Sequence, residues 1–525
     1  MLKACPAKTG NILQGPKQSN PLITTGTKRM SKNYIVIPVL LLFLAIGGQV
    51  QGQGASDVLR YSLQYPSYDP VSIVMPGVSS ATGFGAYQEN PASMALFEEG
   101  FFSFGLSSRY VQEQSSYLGT SSEFDDTQTN IGDIGLVYKV PTQRGRLVVG
   151  GGYSQTTDFN RALSVNARNN QSTITDFYNI TADDSLFFAA FDAYAIDFAT
   201  TDSSFSETAS IFRIGFAQYP GINQNMELTE RGVMGEYSAF IATEFQENFM
   251  VGVSLGLLNG SYDYNREFLE SDTQNDYNFQ FIDTDGDGVG ETDIDNILST
   301  DTINSTFTAF TARLGLLYQL NPYINIGASY QFNGKLNIDE DFNTLITTTF
   351  DNGVVFEDDA PGRFSYKIKR PDRFNLGITF KDLSGLNVSL SAENVRYSQA
   401  RIEFEEIRLG NDEDAINDTI ESNFKDVFNI RAGLEYALNP YFTPRVGYAY
   451  YPSPQQETNS ERQFISGGFS ARLFDNVKLD VGAQYSFWED RNQLYSYFDG
   501  NNVVGEVAGE EVTRWNVMAG VKIAL

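Results

Sequence analysis

Histidine is absent from the 525 residues of this chain, and cysteine occurs once, as Cys5. The absence of imidazole excludes histidine-based acid and base catalysis, histidine-containing nucleophilic triads and imidazole metal sites. One cysteine cannot form an internal disulfide. The sequence therefore argues against a hydrolase that needs a histidine base, and no catalysed reaction is expected.

Basic residues are scarce, with 36 Lys and Arg against 65 Asp and Glu, so the formal net charge is −29. Residues 1–52 hold six basic and no acidic side chains, which leaves −35 for the remainder. A chain of this charge repels a phosphate backbone. Nucleic acid is therefore not expected as a partner.

Long apolar runs are missing after Ile46, which excludes a helical membrane protein. Before that point the basic segment 28–32 leads into an apolar run at 34–46, followed by small residues up to Gly52. This order predicts a secretory signal peptide within residues 1–52, cleaved before Gln53, with Met30 as an alternative start. The other interpretation is a membrane anchor, but the run is shorter than the ~20 residues that a spanning helix needs.

Aromatic residues are abundant, at 14% of the chain, and glycine occurs 46 times, a mixture that favours pleated, partly lipid-facing surfaces. Near the C-terminus, apolar residues such as Trp515 and Val517 occupy the odd-numbered positions, while Arg514 and Lys522 occupy even-numbered positions between them. This two-residue period recurs fourteen times and predicts strands at 101–112, 131–140, 146–154, 232–242, 249–262, 303–318, 323–334, 363–381, 386–400, 427–438, 442–451, 462–474, 477–488 and 513–525. We therefore expect an all-β fold, a transmembrane antiparallel β-barrel of fourteen strands over residues 101–525.

The gaps between these predicted strands alternate between short and long. The short gaps are 141–145, 243–248, 319–322, 382–385, 439–441 and 475–476, and the long gaps are 113–130, 155–231, 263–302, 335–362, 401–426, 452–461 and 489–512. Outer-membrane barrels have short periplasmic turns and long extracellular loops, so both termini are expected in the periplasm of a bacterial cell. Two short gaps carry Asn-Pro between tyrosines, which suits turns at a membrane interface.

Residues 53–100, called the hatch below, precede the first strand and do not alternate. They are rich in glycine and too apolar for a free tail, so we expect them to plug the lumen. This glycine-rich segment ends in Asn90-Pro91-Ala92 directly before the first of fourteen strands, and in that respect the chain resembles the FadL family of outer-membrane long-chain fatty-acid and hydrocarbon transporters. The resemblance implies passive uptake of a hydrophobic ligand. The ligand would be captured at an outer groove, pass to a lumenal pocket gated by the hatch, and leave sideways through the barrel wall.

Three glycines, Gly150, Gly151 and Gly152, lie inside the third predicted strand, where they favour a bulge or kink. In the resembling family a kink in the third strand makes the lateral opening, so these residues are candidates for a lateral gate. Alternatively, the glycines allow the hatch or a side chain to approach the wall closely.

The longest predicted loop contains apolar residues at helical spacing, and the candidates for ligand capture there are Phe187, Phe188, Phe191 and Tyr194. An exposed apolar surface beside the barrel mouth could bind lipid. The alternative is that the loop buries this face against its neighbours.

An acidic run in another predicted loop has the carboxylate spacing of a calcium-binding loop, with candidate ligands Asp283, Asp285, Asp287, Glu291 and Asp293. The pattern departs at Ile294, which stands where a bidentate glutamate is usual. The loop is therefore either a Ca²⁺ site or a solvated acidic turn. No cofactor is otherwise expected.

Cations predicted to face the lumen are candidates for binding a ligand carboxylate, namely Arg313, Arg431, Lys478 and Arg514. Lumenal carboxylates such as Glu435 and Asp480 could instead pair with such cations to satisfy charge inside the barrel.

The sequence thus favours a monomeric outer-membrane barrel that imports fatty acids or hydrocarbons and contacts outer-membrane lipid and lipopolysaccharide. Two alternatives are a general diffusion porin and a non-transporting scaffold whose acidic loops bind a partner. An open lumen would favour the porin, and a sealed lumen without a ligand pocket would favour the scaffold.

Overall fold

The computed structural model describes residues 54–65, 68–181, 184–199, 207–216, 218–278, 282–283, 289–405, 410–456, 458–499 and 502–525. The predicted signal peptide and its cleavage site lie outside these residues. Of the helices in the described ranges, none is long and apolar enough to cross a membrane.

Strands make up most of the described chain. They are β1 (Phe101–Tyr117), β2 (Thr120–Val140), β3 (Leu147–Asp158), β4 (Arg161–Asn169), β5 (Ile196–Phe198), β6 (Thr208–Ser210), β7 (Ile222–Gln246), β8 (Phe249–Ser271), β9 (Ile294–Asn321), β10 (Ile324–Asn333), β11 (Lys335–Phe350), β12 (Val355–Lys369), β13 (Arg373–Leu383), β14 (Leu386–Arg396), β15 (Arg401–Phe404), β16 (Asp426–Tyr436), β17 (Phe442–Tyr451), β18 (Arg462–Phe474), β19 (Val477–Asp499) and β20 (Asn502–Ala524). The α-helices are α1 (Ala55–Ser62), α2 (Ala86–Glu89), α3 (Ile174–Tyr178), α4 (Asp184–Asp192) and α5 (Gly410–Asn423), and short 3-10 helices span Pro91–Leu96 and Tyr397–Gln399.

Fourteen antiparallel strands close into one barrel. The ring runs β1, β2, β3, β7, β8, β9, β10, β13, β14, β16, β17, β18, β19, β20 and back to β1. The closing pair is continuous from Phe101 opposite Ala524 to Ser116 opposite Gly509. The predicted fourteen-stranded antiparallel barrel is confirmed.

Side-chain exposure follows the predicted parity. On β20, Trp515 and Val517 are 48% and 44% exposed and face outward, whereas Asn516 and Met518 are buried. Because an apolar side chain loses no free energy against lipid tails and a charge does, the outward band suits a bilayer and the inward face suits a wet lumen. The alternation of apolar and polar residues in the sequence therefore corresponds to the alternation of outward-facing and inward-facing side chains in the barrel wall.

Several predicted boundaries were wrong, since the predicted loops 113–130, 335–362 and 489–512 are mostly strand, and the predicted loops 155–231, 263–302 and 401–426 contain strand residues. Two cases show the physical reasons. Residues 363–381 form two strands, because Pro371 cannot donate a ladder hydrogen bond and interrupts them. Residues 113–130, predicted as a loop, are mostly strand: β1 and β2 continue to a tight turn at Leu118 and Gly119, both with positive φ. This outer hairpin has water on its exposed face, so it lacks the apolar alternation that marks a lipid-facing strand.

A cap covers one end of the barrel. It consists of the described parts of residues 170–221, including α3, α4 and the small β5–β6 sheet. Its apolar side chains join one core with the outer ends of several wall strands, for example Ile174 and Phe212 of the cap with Phe268 of β8. The opposite end carries the short turns, such as residues 475–476, and the start of β1 beside the end of β20.

The described part of the hatch lies in the lumen, and glycines of the wall strands make room for it. Twelve of the fourteen wall strands carry a glycine whose added Cβ would lie within 4 Å of a hatch atom: Gly105, Gly135, Gly152, Gly252, Gly315, Gly327, Gly377, Gly433, Gly447, Gly468, Gly482 and Gly520. Glycine lets one backbone approach another closely. The hatch is therefore seated in the wall around almost the whole circumference.

Candidate functional site

The hatch motif Asn90-Pro91-Ala92 fastens the hatch to β9. The Asn90 side chain is fully buried, and its Nδ2 donates to the carbonyl oxygens of Val78, at 2.7 Å, and Leu316, at 3.0 Å. Its Oδ1 accepts from the Ala92 amide at 2.9 Å and caps the 3-10 helix that begins with Pro91. The motif thus joins two hatch segments to one wall strand.

Arg431, one of the predicted carboxylate binders, is committed to the hatch. It forms a 2.7 Å ion pair with Glu89, and it donates to the Ser72 carbonyl oxygen. Glu89 Oε2 also accepts from the Gly77 amide at 2.8 Å. Burial raises the pKa of the Glu89 carboxyl above its usual value, although Arg431 opposes this shift. This pair tethers the hatch to β16.

Two other predicted cations also lie away from a ligand cavity. Arg313 makes a bidentate pair with Glu236 at 2.7 and 2.9 Å, and both side chains are 1% exposed. Lys478 lies one residue from the start of β19, directly opposite Arg472 and Lys522 on the neighbouring strands. Of the carboxylates named as their partners, Glu435 pairs instead with Arg445, at 2.6 Å, which is not one of the predicted cations.

A cavity of about 580 Å³ lies between α1 and the wall. Its lining comes from α1, from the junction of β3 and β4, from the inward faces of β8, β19 and β20, and from the segment after α5. Charged side chains make up part of the lining: Asp57, Arg60, Glu113, Asp158, Arg161, Glu230, Arg266, Glu340, Arg462, Asp490, Arg491, Glu510 and Arg514. The cavity is large enough for a small ligand, and its surface combines these charges with apolar side chains such as Leu59, Phe159 and Leu228.

Arg514 belongs to a cluster at one side of this cavity, called the arginine pocket below, formed by Arg109, Arg462, Arg514 and Asp158 around a void of about 30 Å³. Asp158 pairs with Arg109 Nε at 2.9 Å and with Arg514 Nη1 at 3.3 Å. Arg462 stacks on Trp488, with its guanidinium carbon 4.0 Å from the ring centroid. Three guanidinium groups thus surround one carboxylate, which leaves a local excess of positive charge.

Arg109 has donors in the arginine pocket that no described residue accepts. Its side chain is 1% exposed, and within the described chain neither Nη1 nor Nη2 has a hydrogen-bond partner. Arg514 Nε likewise has no partner among the described residues. Buried guanidinium donors without acceptors are costly. A carboxylate of a ligand would satisfy them, because carboxylates match the planar fork of arginine.

Another part of the cavity lining is rich in carboxylates. Arg161 of β4 contacts three carboxylates: Glu510 at 2.5 Å, Glu230 at 3.0 Å and Glu113 at 3.6 Å. The charge of the lining is therefore uneven. An anionic group is attracted to the arginine pocket and repelled by the carboxylates around Arg161.

The barrel wall has a seam beside the cavity. β2 pairs with β3 from Val140 opposite Leu147 as far as Asp133 opposite Ser154. Beyond that pair, among the described strands, residues 120–131 of β2 pair with β1, and β3 and its continuation β4 pair with β7. A bulge after Gln155 and the break between β3 and β4 turn the third strand inward, where it lines the cavity. The seam starts level with Leu106 and Ile131, which are outward-facing and more than 40% exposed.

The three glycines proposed as a lateral gate lie just below the seam. All three are still paired with β2, Gly150 opposite Val137 and Gly152 opposite Gly135. A Cβ at Gly150 would press on the Phe240 ring at 2.5 Å, and a Cβ at Gly152 would come within 2.9 Å of the hatch residue Phe84. The glycines thus allow close approach of other rings, and their role as a gate stays a prediction.

The four predicted capture residues lie in different surroundings in the cap. Phe188 on α4 is 59% exposed and packs edge-on against Phe187. Phe191 instead contacts Phe198, and Tyr194 contacts Phe356 at 4.5 Å. The cap therefore buries much of this apolar face, and Phe188 remains at its surface.

Asp285 and Asp287 of the predicted calcium loop lie outside the described residues. Asp283, Glu291 and Asp293 are described, and among the described residues no group of three Asp, Glu or Cys side chains is arranged to hold a metal ion. The calcium site stays a prediction.

Sequence reasoning missed Arg109, Asp158, Arg462 and Trp488. Arg109 and Arg462 sit on predicted strands, so the inward parity of β1 could have identified Arg109. Asp158 follows the bulge in β3, and periodicity contains no signal for it.

A barrel closed by a single chain, apolar outside, filled by an N-terminal hatch and holding a ligand-sized cavity defines the class of plugged outer-membrane barrels. Within that class, the family model described as "Outer membrane protein transport protein (OMPP1/FadL/TodX)" matches residues 237–512, just over half of the chain. The chain belongs to this family. The resemblance drawn from the hatch motif is confirmed, and so is the outer-membrane location.

Individual relatives are distant. The long-chain fatty acid transport protein of Escherichia coli O6:H1 (strain CFT073) is 24% identical over 187 residues, and the match covers 33% of this chain and 40% of that protein. The chain thus matches less than half of that relative's length. A FadL homologue of Pseudomonas aeruginosa superposes with a TM-score of 0.50 at 11% identity, covering 88% of this chain and 99% of that one. The toluene transporter TodX of P. putida has a TM-score of 0.47 at 14% identity, with coverage of 88% and 99%.

Proposed function

We propose that this protein passively imports a long-chain fatty acid, or a similar hydrophobic molecule with an acidic head, across the outer membrane. The ligand enters the cavity above the hatch, its head binds in the arginine pocket, and it leaves through the seam between β2 and β3. No reaction is catalysed, and the concentration gradient of the ligand drives its movement.

The observation that carries this proposal is the combination of cavity and seam. The inward turn of the third strand supplies both, because the same residues, 157–161, line the cavity and follow the end of the β2–β3 ladder. A ligand in the cavity is therefore beside an interruption of the wall. That interruption starts at apolar, outward-facing residues.

The arginine pocket supports an acidic ligand over a pure hydrocarbon. The donors of Arg109 and Arg514 that no described residue accepts can bind a ligand carboxylate, whereas a hydrocarbon has no acceptor to offer them. The mixed lining of the cavity, part charged and part apolar, also suits a ligand with an acidic head and an apolar chain. The E. coli relative is a long-chain fatty acid transport protein.

The arrangement of the chain supports further details of the proposal. The short turns lie at the same rim as Phe101 and Ala524, so both ends of the barrel belong in the periplasm. One chain closes the barrel, which favours a monomer. The apolar outer band would contact membrane lipid, and the acidic outer loops would contact lipopolysaccharide through divalent cations. Phe188 would take part in capture at the cap.

A general diffusion porin is the weaker candidate. Such a protein needs an open aqueous lumen, whereas the hatch touches glycines on twelve wall strands. A non-transporting scaffold is also weaker, since it gives no reason for a buried pocket of unpaired guanidinium donors.

The test is uptake of a labelled long-chain fatty acid by cells that lack the gene, by complemented cells, and by cells producing a variant with Gly150, Gly151 and Gly152 replaced by valine. We expect deletion to reduce the initial rate, complementation to restore it, and the valine variant to transport poorly. Uptake that does not change on deletion would contradict transport. Normal uptake by the valine variant would remove only the role of these glycines.

A further inference from the structure

An ion pair joins two wall strands that are not neighbours in the barrel. Arg231 of β7 donates to both carboxylate oxygens of Asp126 on β2, through Nε at 3.1 Å and Nη2 at 2.7 Å. In the ring, β3 and its continuation β4 separate these strands. The pair therefore spans the seam.

The inward turn of the third strand makes this contact possible. β4 lies against the lumenal side of β1, where Ser115 donates to the Ser164 carbonyl oxygen. Phe124 of β2 packs against the apolar cluster that contains the fully buried Ala162 of β4. The outer half of β2 consequently covers β4 from outside, and Asp126, two residues from Phe124, faces β7 across it.

We propose that Asp126 and Arg231 form a clasp that holds the free edge of β2 against β7 and controls the width of the seam. This inference rests on the proposed lateral exit. The clasp is built to open, because the Arg231 side chain is 57% exposed and that of Asp126 is 12% exposed. Ion pairs with one solvated partner are held weakly and exchange readily.

Arg231 also has a second carboxylate within reach. Asp263 of β8 is its direct ladder partner, and both side chains face outward. Side chains at directly opposed positions of an antiparallel pair lie close enough to interact. The guanidinium group can therefore exchange Asp126 for Asp263 when the edge of β2 lifts. The two carboxylates define a closed and an open arrangement of the seam.

The width of the seam can be measured without a ligand. Gln155 is fully buried, follows the last β2–β3 ladder pair, and has no side-chain hydrogen-bond partner in the described chain. With the one native cysteine replaced, Cys5→Ser, the substitution Gln155→Cys supplies a single reactive thiol. Its labelling by a maleimide in purified, folded protein reports on opening of the seam.

We expect Asp126→Asn and Arg231→Gln each to speed this labelling by roughly two- to fivefold, and Asp263→Asn to slow it by removing the competing partner. In the Asp263→Asn background, where position 231 has no opposed carboxylate, the exchange Asp126→Arg with Arg231→Asp should return the rate to that of Asp263→Asn alone. The matched control is Arg363→Gln, which breaks an exposed pair with Asp341 on the β11–β12 hairpin and should leave the rate unchanged. Equal labelling rates in the parent and both clasp variants would overturn the proposal.

Transport gives the second measurement. Cysteines at positions 126 and 231, joined by a short reducible bis-methanethiosulfonate linker, should stop fatty-acid uptake until the linker is reduced. The same linker between Asn265→Cys and Thr302→Cys, which replace paired outward residues of β8 and β9, should have no effect. Undiminished uptake with the 126–231 linker in place would overturn the clasp as a control on exit. Absence of uptake by the unmodified protein would overturn the proposed function, and the labelling rates would still decide whether the clasp opens the seam.

Discussion

The ring of Phe84 fills the space that a side chain at Gly135 would occupy. Gly135 is paired with Gly152 across β2 and β3, and a Cβ at Gly152 would meet the same ring. Two ladder positions beyond this pair, the β2–β3 ladder ends at Ser154. One hatch side chain is therefore seated at the foot of the seam.

The substitution Gly135→Ala should unseat Phe84. The new Cβ would overlap the ring, and overpacking of this kind costs about 1–3 kcal/mol, so the hatch should be cut faster by protease while the barrel keeps its heat-modifiable mobility on gels. Gly467→Ala is the control, since its Cβ would meet the nearest atom at 3.8 Å. Phe84→Ala alone should also speed cleavage, because it removes the buried ring, and Gly135→Ala should add little to it once the overlap is gone. Equal cleavage of all these variants would refute the seating role of Phe84.

Removal of Asn90 should loosen the hatch by a different route. Asn90→Ala leaves the carbonyl oxygens of Val78 and Leu316 without their donor, at about 1–3 kcal/mol for each buried group. The midpoint of urea-induced hatch exposure, followed by proteolysis, should fall. Asn265→Ala, on the outward face of β8, should leave the midpoint in place. A fall of the same size in the control would show that the effect of Asn90→Ala is not specific to the hatch motif.

Arg109→Met should weaken binding of a fatty acid and leave binding of its methyl ester unchanged. Charge-assisted hydrogen bonds are worth about 1.5–3 kcal/mol, which corresponds to roughly a 10- to 100-fold higher Kd for the acid. Arg363→Met removes an exposed arginine from the β11–β12 hairpin and should change neither value. Calorimetry in detergent gives both constants. An equal loss for acid and ester would mean that Arg109 supports the fold and does not bind the head.

Hatch seating should strengthen as the pH falls toward the ordinary pKa of a glutamate carboxyl. Burial raises the pKa of Glu89 in the seated hatch above its ordinary value. The seated state therefore binds a proton more tightly than the released state. Seating becomes more favourable as the pH falls from the raised pKa of Glu89 to its ordinary pKa. The labelling rate of Ser79→Cys, a residue that is 1% exposed, should fall with falling pH, and Glu89→Gln should flatten that dependence. A dependence that survives Glu89→Gln belongs to another group.

The wall could be predicted from the sequence because lipid on one side and water on the other impose a period of two. The prediction failed where that contrast is missing. The outer hairpin of β1 and β2 lies beyond the apolar band, and Pro371 breaks a strand without changing its parity. Periodicity reports which face a residue takes, and it does not report where pairing stops.

The candidate site was less predictable for the same reason. Arg514 was identified from its inward parity and lies at the arginine pocket, but Arg313 and Arg431 share that parity and are occupied by Glu236 and Glu89. Whether a lumenal cation is free depends on partners far away in sequence. The seam and the contact of Asp126 with Arg231 exist because β2 and β3 stop pairing after Asp133 and Ser154. The end of this pairing has no signature in the amino-acid sequence.

The location of the bound head group is the most direct test of the account. A long-chain fatty acid with a diazirine beside its carboxyl group should be cross-linked to purified, folded protein, and the modified peptides should be identified by mass spectrometry. We predict saturable modification near Trp488 and residues 157–160, competed by unlabelled acid and lost in Arg109→Met. Modification confined to the outward apolar band, with no competition and no effect of Arg109→Met, would contradict binding of the ligand inside the barrel.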